Sequence, residues 1–217
     1  MKNLKNLNQK NQKEVTIKNQ KLFFEISNRH YFEVEKLISA GVDVNARDKQ
    51  KSTALIEAVY RNDIDIARLL IEAGADVNAQ NEKGQTALMI AAYNNNLEMC
   101  QMLCDHIKNN VYQINASLKD KDGNNALMIA IENNSYRKDY YNEHLETLAK
   151  LVNYLSEYIN INERNKKGDT ALHIALYNDN FTVAKILVKK GANVYIKNKK
   201  DICPVDIFLK KIKEDKI

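Results

Sequence analysis

The residues of this chain that could carry out chemistry are few, and the most suggestive are two cysteines and a histidine. Cys100 and Cys104 are four positions apart, which puts them on one face of a helix, and His106 follows closely. Thiolates and imidazoles are common zinc ligands, so one interpretation is a zinc site. The other is that both cysteines are small apolar residues of a core, because free cysteine is often buried.

The remaining residues form no recognisable catalytic arrangement. His30, His106 and His144 have no Asp, Glu or Ser at a spacing that indicates a proton relay. The chain has no Gly-x-Gly-x-x-Gly sequence, no phosphate-binding loop and no Gly-x-Ser-x-Gly sequence. We therefore predict that the protein is not an enzyme and binds neither a metal nor a cofactor.

The composition is that of an ordinary folded protein. Apolar residues make up 44% of the 217 residues and charged residues 28%, and no apolar run reaches the length of a membrane span. Residues 1–20 lack the apolar stretch of a secretory signal peptide. Three cysteines are an odd number, which argues against a disulfide framework and favours a reducing cytosol. The expected location is the cytoplasm of a bacterium or, for a protein secreted into a host, the host cytosol.

The net charge of +5 is unevenly spread along the chain. Residues 1–20 contain five Lys against one Glu, and residues 197–217 contain seven Lys against four acidic residues. One interpretation is that these ends aid solubility. The alternative is that they bind nucleic acid or an anionic surface, although nucleic-acid binders usually concentrate basic charge on the folded body. Nucleic acid is therefore not the expected partner.

A repeat of 33 residues organises the chain. The Thr-Ala-Leu sequence at 53–55 returns 33 residues later at 86–88, and related sequences follow at 125–127 and 170–172. A second phrase, residues 40–46, recurs at 73–79. Apolar residues at helical spacing follow each Thr-Ala-Leu, and a second apolar helix ends at a glycine such as Gly74. Each unit is thus a helix pair with a projecting turn, and it buries its apolar face only by stacking on its neighbours.

This pattern resembles the ankyrin repeat over residues 21–212. The family's Thr-Pro-Leu-His box is present with Ala replacing Pro, and only His173 keeps the histidine. The resemblance implies an all-α solenoid of stacked helix pairs with projecting β-turn loops. It also implies that His173 makes structural hydrogen bonds between neighbouring boxes, and that a concave surface binds a partner protein.

The phase of the repeat predicts the organisation of the chain. We expect a polar, disordered segment over 1–20 and one ankyrin-repeat domain over 21–217. Within it lie an amino-terminal cap or degenerate repeat at 21–50, repeats at 51–83, 84–122, 123–167 and 168–200, and a carboxyl-terminal cap at 201–217. The leucine of each box should be buried, at Leu55, Leu88, Leu127 and Leu172. Cys100 and Cys104 follow Ala67 and Ile71 by 33 residues, at packing positions, which favours burial over zinc binding.

Two units are longer than 33 residues. One carries its extra length at 108–118, in the turn after the second helix. The other carries it at 133–143, between the two helices, with Tyr136, Tyr140 and Tyr141 among charged residues. This second insertion is either a lengthened, solvated helical turn or an additional contact site, because exposed tyrosine is enriched at interface hot spots.

The repeat phase also predicts the partner-binding residues. Seven residues after the first residue of the box stand Tyr60, Tyr93 and Tyr177, with Glu132 at the same phase of the longest unit. These side chains either contact a partner or cover the neighbouring helix. The turn tips should add a polar rim of Lys49, Glu82, Lys83, Lys166 and Lys167. We expect a monomer that binds a protein of unknown identity, and a host protein if the Asn-, Lys- and Ile-rich composition reflects an intracellular bacterium.

Overall fold

The computed structural model describes the backbone of residues 2–105, 114–133 and 141–214, and the side chains of 15–105, 114–133 and 145–214. Within these ranges the chain forms eleven α-helices and no β-strand. In chain order they are α1 (Lys2–Ser27), α2 (Tyr31–Ser39), α3 (Ala54–Tyr60), α4 (Ile64–Glu72), α5 (Ala87–Tyr93), α6 (Leu97–Asp105), α7 (Ala126–Asn133), α8 (Tyr141–Leu155), α9 (Ala171–Tyr177), α10 (Phe181–Lys189) and α11 (Pro204–Lys213).

The helices pack as two layers of a solenoid. The odd-numbered helices form one row, in which each contacts the next from α1 to α11; we call them the inner helices. The even-numbered outer helices pack on their inner partners, and α2 contacts α4, α6 contacts α8 and α8 contacts α10. The predicted all-α repeat solenoid is therefore confirmed.

The inner helices begin where the repeated box places a capping side chain. The Thr53 hydroxyl accepts a hydrogen bond from the Ile56 amide at 3.4 Å, and the Thr86 hydroxyl accepts one from the Met89 amide at 3.3 Å. In the fourth unit Asn125 replaces threonine, and its side-chain oxygen accepts from Met128 at 3.0 Å. A seven-residue helix is unstable alone, so these caps and the stacking of units stabilise it together.

The buried layer follows the predicted phase. Leu55 and Leu127 are completely buried, and Leu88 and Leu172 are each 1% exposed. These leucines belong to one continuous apolar core. The prediction that all four are buried is confirmed.

The projecting turns are joined to one another by the backbone. The Glu82 amide donates to the Gln50 carbonyl at 2.8 Å, and the Lys199 amide donates to the Lys167 carbonyl at 3.0 Å. Gly168 has φ +81°, and a Cβ there would lie 2.8 Å from the Lys199 nitrogen. Glycine is therefore required at this position, because the turn needs a left-handed residue and the next turn passes close to it.

The amino-terminal segment is helical in the structure. Helix α1 extends over Lys2–Ser27, and the sequence predicts that residues 1–15 are disordered or weakly helical in solution. The carboxyl-terminal part of α1 is held by burial of Leu22 and Ile26 in the core, and extending a helix that is already nucleated costs little. Rapid amide exchange over residues 1–15 in solution stays a prediction, as do the domain boundaries.

The longest unit departs from the others in its second helix. Helix α8 has 15 residues, whereas α4, α6 and α10 each have nine. Helix α7 ends at Asn133, and α8 begins at Tyr141. Most of the predicted insertion at 133–143 lies outside the described residues, including Tyr136 and Tyr140, and so does the first part of the other insertion, residues 108–113.

Candidate partner-binding surface

The residues predicted to contact a partner lie at the ends of the inner helices. Tyr60, Tyr93 and Tyr177 are the last residues of α3, α5 and α9, and Glu132 is the penultimate residue of α7. The three tyrosine side chains are 64%, 48% and 43% exposed, and Glu132 is also exposed. Because the inner helices stack side by side, these four residues line one face of the solenoid. We call them the tyrosine row.

Hydrogen bonds show which way this row faces. The Tyr177 hydroxyl accepts from the Asn198 side-chain amide at 3.0 Å, and Asn198 belongs to the next projecting turn. Glu132 accepts from the Asn124 side-chain amide at 3.3 Å, and Asn124 follows the turn of its own unit. At these two positions the row therefore lies beside the projecting turns.

The tyrosines are not equivalent. The Arg61 guanidinium lies 5.8 Å from the centre of the Tyr60 ring, and Arg61 also donates to Glu57 at 2.7 Å. Tyr177, in contrast, is bound to Asn198, and its pKa is raised mainly because burial disfavours the phenolate. Tyr60 is thus available for contact, whereas Tyr177 already links two units.

The predicted polar rim lies on the turn tips. Lys49, Glu82, Lys83, Lys166 and Lys167 are all exposed, and we call these five residues the turn rim. Their backbones are fixed by turn hydrogen bonds, such as the one from the Lys83 amide to the Asn81 side chain at 2.9 Å. In the described part of the chain none of the five forms an ion pair.

The projecting turns together carry a positive charge. This charge is not apparent when the chain is divided into consecutive segments of sequence. The five turns at 47–51, 80–84, 119–123, 164–168 and 197–201 contain 12 Lys and Arg residues against five Asp and Glu residues. Their net charge of +7 exceeds that of the whole chain, +5. Summing the charges of the corresponding turn in each unit, rather than along consecutive sequence, reveals this stripe of positive charge along the turns. The turns beside the tyrosine row are therefore strongly basic.

His173 has the structural role that the resemblance implies. Its Nδ1 lies 2.8 Å from the Thr170 hydroxyl and 3.1 Å from the Thr170 amide, and its Nε2 lies 3.1 Å from the Ile202 carbonyl. The amide donor and the carbonyl acceptor together favour the neutral tautomer with the proton on Nε2. Its pKa is lowered, mainly because burial disfavours the imidazolium ion. The ring therefore joins the box of its own unit to the next unit.

The two helical cysteines are packing residues. Cys100 and Cys104 are at most 1% exposed. Burial raises the pKa of both thiols, that of Cys104 to about 12, so both stay protonated at neutral pH. His106 lies outside the described residues, and no group of three potential metal ligands occurs among those that are described. The cysteines fill the same layer as Ala67 and Ile71, which are also buried.

Comparison with known proteins identifies the family. A family model described as ankyrin repeats (3 copies) matches residues 3–81, 22–115, 74–149 and 112–198. These matches cover most of the chain, which therefore belongs to the ankyrin-repeat family. Ankyrin repeats are generally protein–protein interaction modules, and the family is generally non-catalytic. No helix among the described residues is long and apolar enough to cross a membrane.

Relatives with partial similarity come from bacteria and spiders. An ankyrin repeat protein of Rickettsia bellii (strain RML369-C) is 48% identical over 48 residues, which are 22% of this chain and 29% of that protein. Alpha-latrotoxin-Lt1a of Latrodectus tredecimguttatus is 42% identical over 59 residues, 27% of this chain. The match spans only 4% of the toxin's length. The rickettsial similarity supports the predicted likeness to ankyrin proteins of intracellular bacteria.

Proposed function

We propose that this chain is a non-catalytic scaffold that binds a partner protein in the groove between the tyrosine row and the turn rim. The observation that supports the proposal is the contrast in burial between neighbouring residues of one inner helix. In α5, Ala87 through Ala92 are all buried, whereas the next residue, Tyr93, is 48% exposed. Exposed tyrosines at one position of successive units offer rigid, amphipathic contacts with a low entropic cost on binding.

The charges of the turns and of Glu132 indicate which kind of partner surface would bind. The basic turns along one wall favour a partner that presents Asp and Glu residues to them, because complementary charge speeds association and selects the orientation. Glu132 interrupts the tyrosine row with one negative charge, which favours a single Lys or Arg of the partner at that point. The partner surface that we infer is thus mainly acidic with an apolar or aromatic stripe.

We further infer that the protein works as a monomer in a reducing cytosol, either of a bacterium or of its host. The three cysteines are free and buried, as suits a cytosolic protein. If the chain comes from an intracellular bacterium, as its partial similarity to a rickettsial ankyrin repeat protein suggests, we infer a host protein as the partner.

The test is affinity capture with matched baits. The wild-type chain and a Tyr60→Ala/Tyr93→Ala/Tyr177→Ala variant would be exposed to host and bacterial lysates, and retained proteins identified by mass spectrometry. Tyr195→Ala is the control bait, because Tyr195 is 73% exposed but lies outside the row. We expect a partner that the wild type and the control retain and the triple variant loses.

The same experiment addresses the alternative that basic segments bind nucleic acid or an anionic surface. Such binding would be indifferent to sequence, would weaken steeply with added salt and would survive the triple substitution. Its loss on deleting residues 1–20 would assign it to the amino-terminal segment. That combination of results would replace the scaffold proposal.

A further inference from the structure

A second apolar surface lies at the carboxyl end of the stack, and no residue of the tyrosine row lines it. It is a groove of about 400 Å³ between α10 and α11, with Ala184 and Val188 on one wall and Val205 and Phe208 on the other. Val188 is 48% exposed and Phe208 is 39% exposed. We call this the carboxyl-terminal groove.

The repeat explains the shape of this groove. Val188 stands three residues before Gly191, just as Ile71 stands three residues before Gly74, and Ile71 is only 1% exposed. Interior units bury this position because the next unit stacks on them. Among the described residues the sixth unit contributes one helix, α11, and no outer partner to it. The carboxyl-terminal groove thus has the form of a seat for an outer helix.

Phe208 gives the carboxyl-terminal groove a different chemical surface from the same position of the interior units. Phe208 is the fifth residue after Cys203, which stands at the first position of the box. The same position in four earlier units holds alanine, each at most 1% exposed: Ala58, Ala91, Ala130 and Ala175. The Phe208 ring meets Phe181 edge to face, with 6.5 Å between their centres. The groove therefore offers an aromatic surface where the interior units offer a methyl group.

The charges around the groove select its occupant. The helices that wall the groove, α10 and α11, together contain five lysines against one acidic residue, a net charge of +4. Lys185 and Lys189 line the groove itself, and neither forms an ion pair within the described part of the chain. A complementary occupant carries Asp and Glu residues beside an apolar stripe.

We propose that the carboxyl-terminal groove binds an acidic amphipathic helix of a second protein. Its apolar residues, spaced i, i+3 or i+4, and i+7, fill the space between Val188 and Phe208, and its acidic flanks meet Lys185 and Lys189. This site is separate from the tyrosine row, so it does not depend on the function proposed above.

The probe for this site is a synthetic, fluorescein-labelled peptide of about 14 residues, roughly four helical turns. Leucines occupy the i, i+3, i+4, i+7 positions, and Glu and Ala fill the rest. A second peptide keeps the leucines and replaces every Glu with Lys, and a third has the acidic composition in scrambled order. Fluorescence anisotropy with the full 217-residue chain should show binding of the first peptide at least about tenfold tighter than of the other two.

Variants of the groove locate the binding. Val188→Asp should weaken binding of the acidic peptide by about tenfold or more, because it places a charge on the apolar wall. A Lys185→Glu/Lys189→Glu variant should reverse the preference toward the Lys peptide. Val188 is half-exposed, so the variant should keep its circular dichroism spectrum and melting temperature. Tyr60→Ala/Tyr93→Ala should bind the peptide normally, which separates this site from the groove between the tyrosine row and the turn rim.

Three results would overturn the proposal. One is equal binding of the acidic and basic peptides, or binding of neither. Another is undiminished binding by folded Val188→Asp. The third is a dimer of the wild-type chain in sedimentation experiments that Val188→Asp dissociates, because the groove would then be filled by a second copy.

Discussion

The two faces of the inner helices follow different rules. In α3, α5, α7 and α9 the buried face repeats one residue, leucine at 55, 88, 127 and 172. The exposed face, five residues further along each helix, holds tyrosine in three units and Glu132 in the fourth. Five residues correspond to about 140° around a helix axis, so the two positions point in nearly opposite directions. Packing enforces identity on the first face, whereas the second is exposed and differs in residue type between units, which leaves it available for recognition.

The largest effect should come from breaking the buried face. Leu88→Ala removes a side chain that is 1% exposed and leaves a cavity between α5 and its neighbours. We expect it to lower the free energy of unfolding by about 2–5 kcal/mol, measured by urea denaturation. Tyr93→Ala, in the same helix, is the matched control and should change stability by roughly 0.5 kcal/mol. Similar effects of the two substitutions would contradict the division into faces.

The second effect concerns binding rather than stability. Replacing Tyr60, Tyr93 and Tyr177 with Ala should weaken the affinity for a captured partner by about 2–4 kcal/mol, as truncation of hot-spot residues does. Isothermal titration calorimetry measures this change, and the melting temperature of the variant reports on folding. Glu132→Lys should weaken binding without unfolding the protein. A well-folded triple variant with undiminished affinity would exclude this surface, and the insertion at 133–143 would be examined next.

A smaller effect should distinguish the tyrosines from one another. Tyr177→Phe removes the hydroxyl that bonds to Asn198 at 3.0 Å, and this should cost about 0.5–1.5 kcal/mol of stability. Tyr60→Phe is the matched control, because Tyr60 is 64% exposed and its ring contact with Arg61 remains. Urea denaturation of both variants tests the difference. Equal stabilities would mean that Tyr177 contributes nothing to the joining of units.

The sequence was sufficient to predict the fold because the repeat supplies several independent copies of each constraint. Thr53 and Thr86 cap helices at one phase, and Leu55 and Leu88 are buried two residues later. Because several units show the same pattern, the phase of the repeat can be assigned even where one unit has a different residue, as at Asn125. The burial of Cys100 and Cys104 follows from the same register.

Features that depend on a single unit could not be predicted in this way. The hydrogen bond between Tyr177 and Asn198 joins residues 21 positions apart and requires the actual orientation of one turn. The extra turns of α8 follow from the irregular fourth unit, which no other unit resembles. The positive stripe on the turns was missed because neighbouring turns are about 33 residues or more apart in sequence but adjacent in the stack.

The smallest effect concerns His173, the one box residue of the inner helices that titrates near neutral pH. Burial lowers its pKa in the folded protein below the ordinary value of 6.5. Above that value the ring is neutral in both states and contributes no pH dependence. As the pH falls below 6.5, the unfolded chain takes up a proton that the folded protein does not, so stability decreases, by at most about 1.4 kcal/mol per pH unit.

His173→Met, which carries the residue found at Met89 and Met128, lacks this proton. Between pH 7 and about pH 5 the wild type should therefore lose more stability than the variant in urea denaturation, because the carboxylates and other histidines act equally in both. Parallel pH profiles would show that His173 titrates alike in the folded and unfolded states, and that the hydrogen bond from the Thr170 amide to Nδ1 does not keep the ring neutral.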